Sequence, residues 1–142
     1  MLLSDIKVGD EIISEFLVSE GKVSTFATLV DDFSPIHCDR DFAIKKGFEG
    51  TIAHGLLTSS FISGILGNKL PGPNSVINEI NLKYHLPVYL ENLIVVRIQV
   101  QRVITSVRAV SLDIKINEKK SLAMVLSGRA ICSFPQDKAG PL

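Results

Sequence analysis

The sequence predicts an α+β fold in which an antiparallel sheet wraps around one long central helix. Two patterns carry this. Residues 55–66 form a mostly apolar run punctuated by Ser59, Ser60, Ser63, Gly64 and Gly67. A helix apolar on most sides is buried on most sides, and small residues let its backbone sit close to whatever wraps it. From about residue 76 onward, apolar residues recur at every second position over four successive stretches. That is the period of strands covering a core on one face.

The elements follow in chain order. Residues 11–18 (EIISEFLV) read as a first strand. Ser19 is placed to cap a helix running to Val30, with Val23, Phe26, Ala27, Leu29 and Val30 as its apolar positions. Asp31-Asp32-Phe33-Ser34-Pro35 then reads as a turn, because proline forces the residue before it out of the α region. A short helix is expected from Asp39 to Lys46, closed by Gly47, with a loop over 48–53. After the long helix, Pro71-Gly72-Pro73-Asn74 breaks the chain. Strands are expected at 76–84, 93–103, 107–116 and 121–133, the last two joined by a hairpin turn at Asn117-Glu118-Lys119-Lys120. The expected core faces are Val76, Ile80, Leu82 and Tyr84; Ile94, Val96, Ile98 and Val100; Val110, Leu112, Ile114 and Ile116; and Leu122, Met124, Leu126, Ala130 and Cys132. The tail from 135 to 142 is expected to fray. This helix-in-sheet pattern is that of the hot-dog fold.

Composition limits the function classes. At 142 residues the chain fits one domain, 1–142, able to bury a full core without metal or disulfide. Fifteen basic residues balance fifteen acidic ones, so no basic footprint for nucleic acid or an anionic membrane exists. Cys38 and Cys132 make no disulfide framework or zinc motif, and two reduced thiols fit a cytoplasmic protein. The N-terminal residues show no charged-then-apolar signal pattern, and the run at 56–66 is too short to span a bilayer.

Two segments offer chemistry. In Asp32-Phe33-Ser34-Pro35-Ile36-His37, a carboxylate and an imidazole flank a proline. On a loop stiffened by Pro35 both side chains could turn to one point and divide general acid and general base work on a shared water. Taken alone, such a pair is far more often a solvated turn aspartate and a helix-flanking histidine. In Ala53-His54-Gly55-Leu56, a glycine opens the long helix. Its free N–H at the positive end of the helix could donate to a carbonyl oxygen, and the missing side chain leaves room for that approach. A glycine kept there for packing is the plain alternative, and His54 reads as a structural histidine. His85 has no acid nearby in sequence, Cys38 reads as a small packing residue, and Lys45-Lys46 and Lys119-Lys120 read as solvated surface.

In order and spacing these two segments, followed by Phe61-Ile62-Ser63-Gly64, Leu70-Pro71-Gly72 and Leu82-Lys83-Tyr84-His85-Leu86-Pro87-Val88, resemble the MaoC-like dehydratases. Within them the chain is most similar to the (R)-specific enoyl-CoA hydratases that feed polyhydroxyalkanoate synthesis. The resemblance runs from the first strand to the last. It implies Asp32 and His37 as the catalytic pair, Gly55 as the backbone N–H donor to a thioester carbonyl, and Ser63 as a serine supporting the pair. Ser34 stands where such proteins usually carry asparagine, and serine can still bond the neighbouring turn. Ser34 and His54 are further supporting candidates.

The expected activity is reversible hydration of trans-2-enoyl-CoA to (R)-3-hydroxyacyl-CoA, the configuration resting on the resemblance alone. Coenzyme A is then part of the substrate, and no metal or separate cofactor is expected, because the thioester carbonyl is the electron sink. Open edge strands predict a homodimer. The alternatives are a hot-dog acyl-CoA thioesterase, a 3-hydroxyacyl-thioester dehydratase acting on acyl carrier protein, and a non-catalytic acyl-thioester binding module.

Overall fold

The computed structural model describes residues 1–137. Its strands are β1 (Glu11–Val18), β2 (Val76–Tyr84), β3 (Asn92–Ile104), β4 (Ala109–Glu118) and β5 (Met124–Ser133). Its helices are α1 (Glu20–Val30), α2 (Pro35–Cys38), α3 (Arg40–Lys45) and α4 (Gly55–Asn68). The strands form one antiparallel sheet in the order β1-β3-β4-β5-β2, with α4 against its apolar face in the hot-dog arrangement.

Period-two patterning builds this core. Ile94, Val96 and Ile98 of β3 and Val110, Leu112, Ile114 and Ile116 of β4 are all fully buried. Leu126, Ala130 and Cys132 of β5 join them, and Ile62, Ile65 and Leu66 of α4 close the same cluster. Ser19 caps α1 as expected, its hydroxyl accepting from the Lys22 N–H at 3.2 Å. Burial raises the thiol of Cys132 to about 11, so it stays a neutral packing group. Among the described residues, no helix is long and apolar enough to cross a membrane.

Several expectations are corrected. α4 is buried on one face, not most. Leu57, Thr58, Ile62, Ile65 and Leu66 turn inward, whereas Leu56 is 69% exposed and Ser60, Ser63 and Gly64 face outward. The expected inner face of β2 is also open: Val76, Ile80 and Tyr84 are exposed and Leu82 is half-buried. β2 borders the sheet, and a bulge between Ile77 and Glu79 breaks its alternation. Leu122 lies in the connection before β5, at positive φ and exposed, and Met124 is exposed at the strand's first residue. The β4–β5 connection accordingly falls after Glu118 instead of at 117–120. Residues 105–107 are a short 3-10 turn, so β4 begins at Ala109. Residues 135–137 carry no regular structure, and the rest of the expected frayed tail lies outside the described residues.

Gly128 of β5 pairs with Leu82 of β2. A Cβ there would fall on the Asn81 carbonyl oxygen and the Leu82 side chain. Gly128→Ala should therefore force the two strands apart and cost about 1–3 kcal/mol, as other overpacked sites do. Urea denaturation with an unchanged m-value checks it, and equal midpoints would refute the packing argument.

Candidate functional site

The end of α1 delivers the first group. Asp31 adopts the left-handed conformation, φ 57°, and the Asp32 N–H closes back onto the Ala27 carbonyl at 2.9 Å. The chain reverses there, leaving the Asp32 side chain partly exposed at the turn. Its Oδ1 accepts from the Ser34 N–H at 3.0 Å and from the Ser34 hydroxyl at 2.6 Å. This is the turn that an acid two residues before a serine can make. These two bonds, the hydroxyl first, hold the Asp32 carboxyl below the usual carboxylate range. Partial desolvation opposes them, and the imidazoles of His54 and His37 add smaller lowering effects.

Pro35 then opens a helical turn, where the expectation was a stiffened loop. Its fixed φ suits the first helical position and its missing N–H costs nothing there. His37 sits on that turn, α2. Cys38 beside it donates its thiol to the Phe33 and Ser34 carbonyls but is exposed, not the packed residue expected. Residues 52–53 are tied on two sides: the Ile52 N–H bonds the Ile36 carbonyl at 3.0 Å, and the Ala53 N–H bonds the Val88 carbonyl at 2.8 Å. That fixes the Ile52 carbonyl 2.7 Å from His37 Nδ1. A carbonyl only accepts, so Nδ1 carries the proton and the neutral ring keeps its lone pair at Nε2.

His54 precedes α4 and is 3% exposed. Its Nε2 lies 3.0 Å from the Asp32 carbonyl oxygen and must be the protonated nitrogen by the same argument. Its buried Nδ1 has no partner among the described residues. The His37 and His54 rings stack at 3.9 Å with 30° between planes, and Phe26 packs against His54 at 5.0 Å. One nitrogen of each histidine and one Asp32 oxygen all lie within 4.8 Å of one another. Two imidazoles and a carboxylate are a familiar metal donor set. Here His54 turns its Nε2–H to the Asp32 carbonyl, and His37 turns its Nδ1–H to the Ile52 carbonyl. What the cluster offers instead is two acceptors, the Asp32 carboxylate and His37 Nε2.

Gly55 begins α4, and among the described residues its N–H has no hydrogen-bond partner, which leaves it available to a ligand. Two small cavities meet at His37. One, about 370 Å³, contains His37 and Gly55 among apolar side chains including Ile36, Phe48, Ile52, Val88 and Val125. The other, about 290 Å³, contains Asp32, Cys38 and His54 with His37. Asp32, Ser34, His37 and His54 are thus brought together, and His37 links them to Gly55. Ser63 is not brought in: it faces outward two turns along α4. Larger hollows lie elsewhere, one of them under charged side chains on the outer sheet face, and hold none of these groups. Two partners escaped sequence reasoning. The Ile52 carbonyl leaves no sequence signal, being backbone. Tyr84 could have been suspected only as an aromatic residue able to lie against a glycine.

The family model described as "MaoC like domain" matches residues 8–121. A 3-hydroxybutyryl-CoA dehydratase of Methylorubrum extorquens is 32% identical over 143 residues, covering 100% of this chain and 90% of its own. An (R)-specific enoyl-CoA hydratase of Aeromonas caviae is 30% identical over 135 residues, covering 95% and 100%. The solved (R)-hydratase from A. caviae, described as involved in PHA biosynthesis, superposes with a TM-score of 0.87 at 30% identity, over 92% of this chain and 98% of that one. The chain belongs to the MaoC-like domain family of hydratases and dehydratases.

Proposed function

We propose that this protein reversibly hydrates trans-2-enoyl-CoA to (R)-3-hydroxyacyl-CoA. The observation that carries the proposal is the pair of acceptors, Asp32 carboxylate and His37 Nε2, next to a cavity that also holds the uncapped Gly55. One His37 nitrogen and one Asp32 oxygen lie within 4.8 Å of one another, and a water hydrogen bond spans roughly 2.8 Å, so in this reading one molecule bridges the two residues. Giving a hydrogen to each, it turns a lone pair outward toward C3. The Gly55 N–H holds the thioester oxygen, where the negative charge develops. The water oxygen bonds C3, its proton passes to His37 Nε2, and the C2–C3 π electrons shift toward the carbonyl oxygen. The enolate then collapses and takes that proton back at C2. Asp32, held ionised by Ser34, aims the water and offsets the transient imidazolium. Proton return from the side of water attack makes the addition syn. The carbonyl is the electron sink, so the reaction calls for no metal or redox cofactor. The names of the relatives support the hydration class and the (R) configuration. Ser34 and His54 act by holding Asp32 in place.

We also propose a homodimer. β2 presents Val76, Ile77, Ile80 and Tyr84, each at least 40% exposed, on an unpaired sheet edge. The outward face of α4 is made of small residues beside Leu56. A second copy covers both at once, continuing the sheet by two-fold symmetry.

Crotonyl-CoA tests the chemistry. Asp32→Asn and His37→Ala should each slow hydration about 10²–10⁴-fold, the usual contribution of a positioned acid or base. Loss of enoyl absorbance without thiol release is the hydratase signature. Thiol release would instead favour a thioesterase. The Asp32 titration gives a second check. Its lowered value means that the ionised form favours the fold above the unfolded value, about 3.9, and that this is lost only as pH falls through the lower folded value. Ser34→Ala removes the largest lowering cause, so the Asp32 carboxyl should titrate higher, as followed by carboxyl carbon NMR. An unmoved midpoint would refute the Ser34 role. Sedimentation should give twice the 15.5 kDa chain mass, and Ile80→Lys, which charges the sheet edge, should shift it toward the monomer.

A further inference from the structure

Tyr84 is the last residue of β2, and the chain leaving it forms one side of the cavity that holds Gly55 and His37. Its ring covers the start of α4. A Cβ built on Gly55 would lie 3.0 Å from Tyr84 Cε1 and 3.2 Å from Cδ1. The ring is therefore packed against the glycine that lines the cavity. The ring is also tethered. The Tyr84 hydroxyl donates to Ser59 Oγ at 3.0 Å, and Ser59 spends its own proton on the Leu56 carbonyl at 3.1 Å. The tether spans the first turn of α4, so strand end and helix start are held as one unit. The cavity beneath has a polar end, formed by His37 and Gly55, and an apolar remainder formed by Ile36, Phe48, Ile52, Val88 and Val125. At about 370 Å³ it is near the small limit for ligand sites.

Resting on the hydratase reading, we propose that Tyr84 is a specificity-determining residue, its tethered ring being the wall that limits the acyl chain held at Gly55. A thioester oxygen at the Gly55 N–H sends the acyl arm along the apolar lining and past this ring. The hydroxyl touches neither water nor acid–base pair. It fixes the position of the ring, and through the ring the room beside the thioester.

The experiment measures kcat/KM for crotonyl-CoA and trans-2-octenoyl-CoA in wild type, Tyr84→Ala, Tyr84→Phe, Ser59→Ala and the Tyr84→Phe/Ser59→Ala double variant. Removing the ring should raise the octenoyl-to-crotonyl ratio at least about tenfold. Tyr84→Phe and Ser59→Ala should each raise it by about two- to fivefold. The double variant should match the singles, because all three remove one hydrogen bond. A merely structural role would lower both substrates alike and leave the ratio flat, and that result overturns the proposal. Additive single effects overturn the tether. If Tyr84→Ala does not fold, the two tether variants, each of which removes only a hydroxyl, decide the matter alone. If wild type turns over no enoyl-CoA, the hydratase reading fails by itself. Calorimetric affinities for butyryl-CoA and octanoyl-CoA in the same variants then test the wall directly: an unchanged affinity ratio overturns it.

Discussion

The hydrogen bond from His37 Nδ1–H to the Ile52 carbonyl is the constraint on which the rest of the site depends. It fixes which nitrogen of the ring is protonated and so which one can receive a proton. It also fixes the ring's direction, which lets the ring stack on His54 and stand between the two cavities. Ile52 can act this way because its own N–H bonds Ile36 in α2 and the next residue bonds Val88. The segment before α4 is thus stitched to the helical turn that carries His37. Without that stitch, the ring would be free to choose either tautomer.

The charge at Asp32 is set by a different device. Ser34 supplies two donors within one tight turn, so the carboxylate stays an anion without a basic side chain. A lysine or arginine partner would occupy the oxygens that, in the proposed reaction, receive water. Hydrogen bonds from a neighbouring turn leave the outer oxygen open and still favour the ionised form. His54 completes the scaffold from below: it holds the Asp32 main chain through its carbonyl while lending a flat surface to His37.

Much of this was legible in the sequence, for identifiable reasons. β3 and β4 alternate with period two, and their buried residues are those the period picks out, Ile94 to Val100 and Val110 to Ile116. Ser19 and the start of α4 at Gly55 were readable from capping and glycine chemistry. What misled was burial on the open side. β2 and α4 have the apolar or small residues of interior elements, yet within one chain much of their surface has no neighbour. Composition records that a residue is to be covered, but not whether its own chain covers it. The turn at Pro35 was misread because proline marks both loops and first helical turns. The tautomers of His37 and His54 were out of reach, since each is chosen by a carbonyl that any residue could supply.

The order β1-β3-β4-β5-β2 has a consequence for biosynthesis. The whole site, Asp32 to Gly55, leaves the ribosome before any of β3, β4 and β5 exists. β1 has its sole sheet partner in β3, with Glu11 opposite Gln99, and β2 waits for β5, with Tyr84 opposite Leu126. The apolar face of α4 is therefore translated well ahead of the surface that shelters it, a long-range closure of the kind that slows folding. The interval in which nascent chains need protection from one another lies between the synthesis of Leu66 and that of Cys132, and ends when β5 is inserted between β4 and β2.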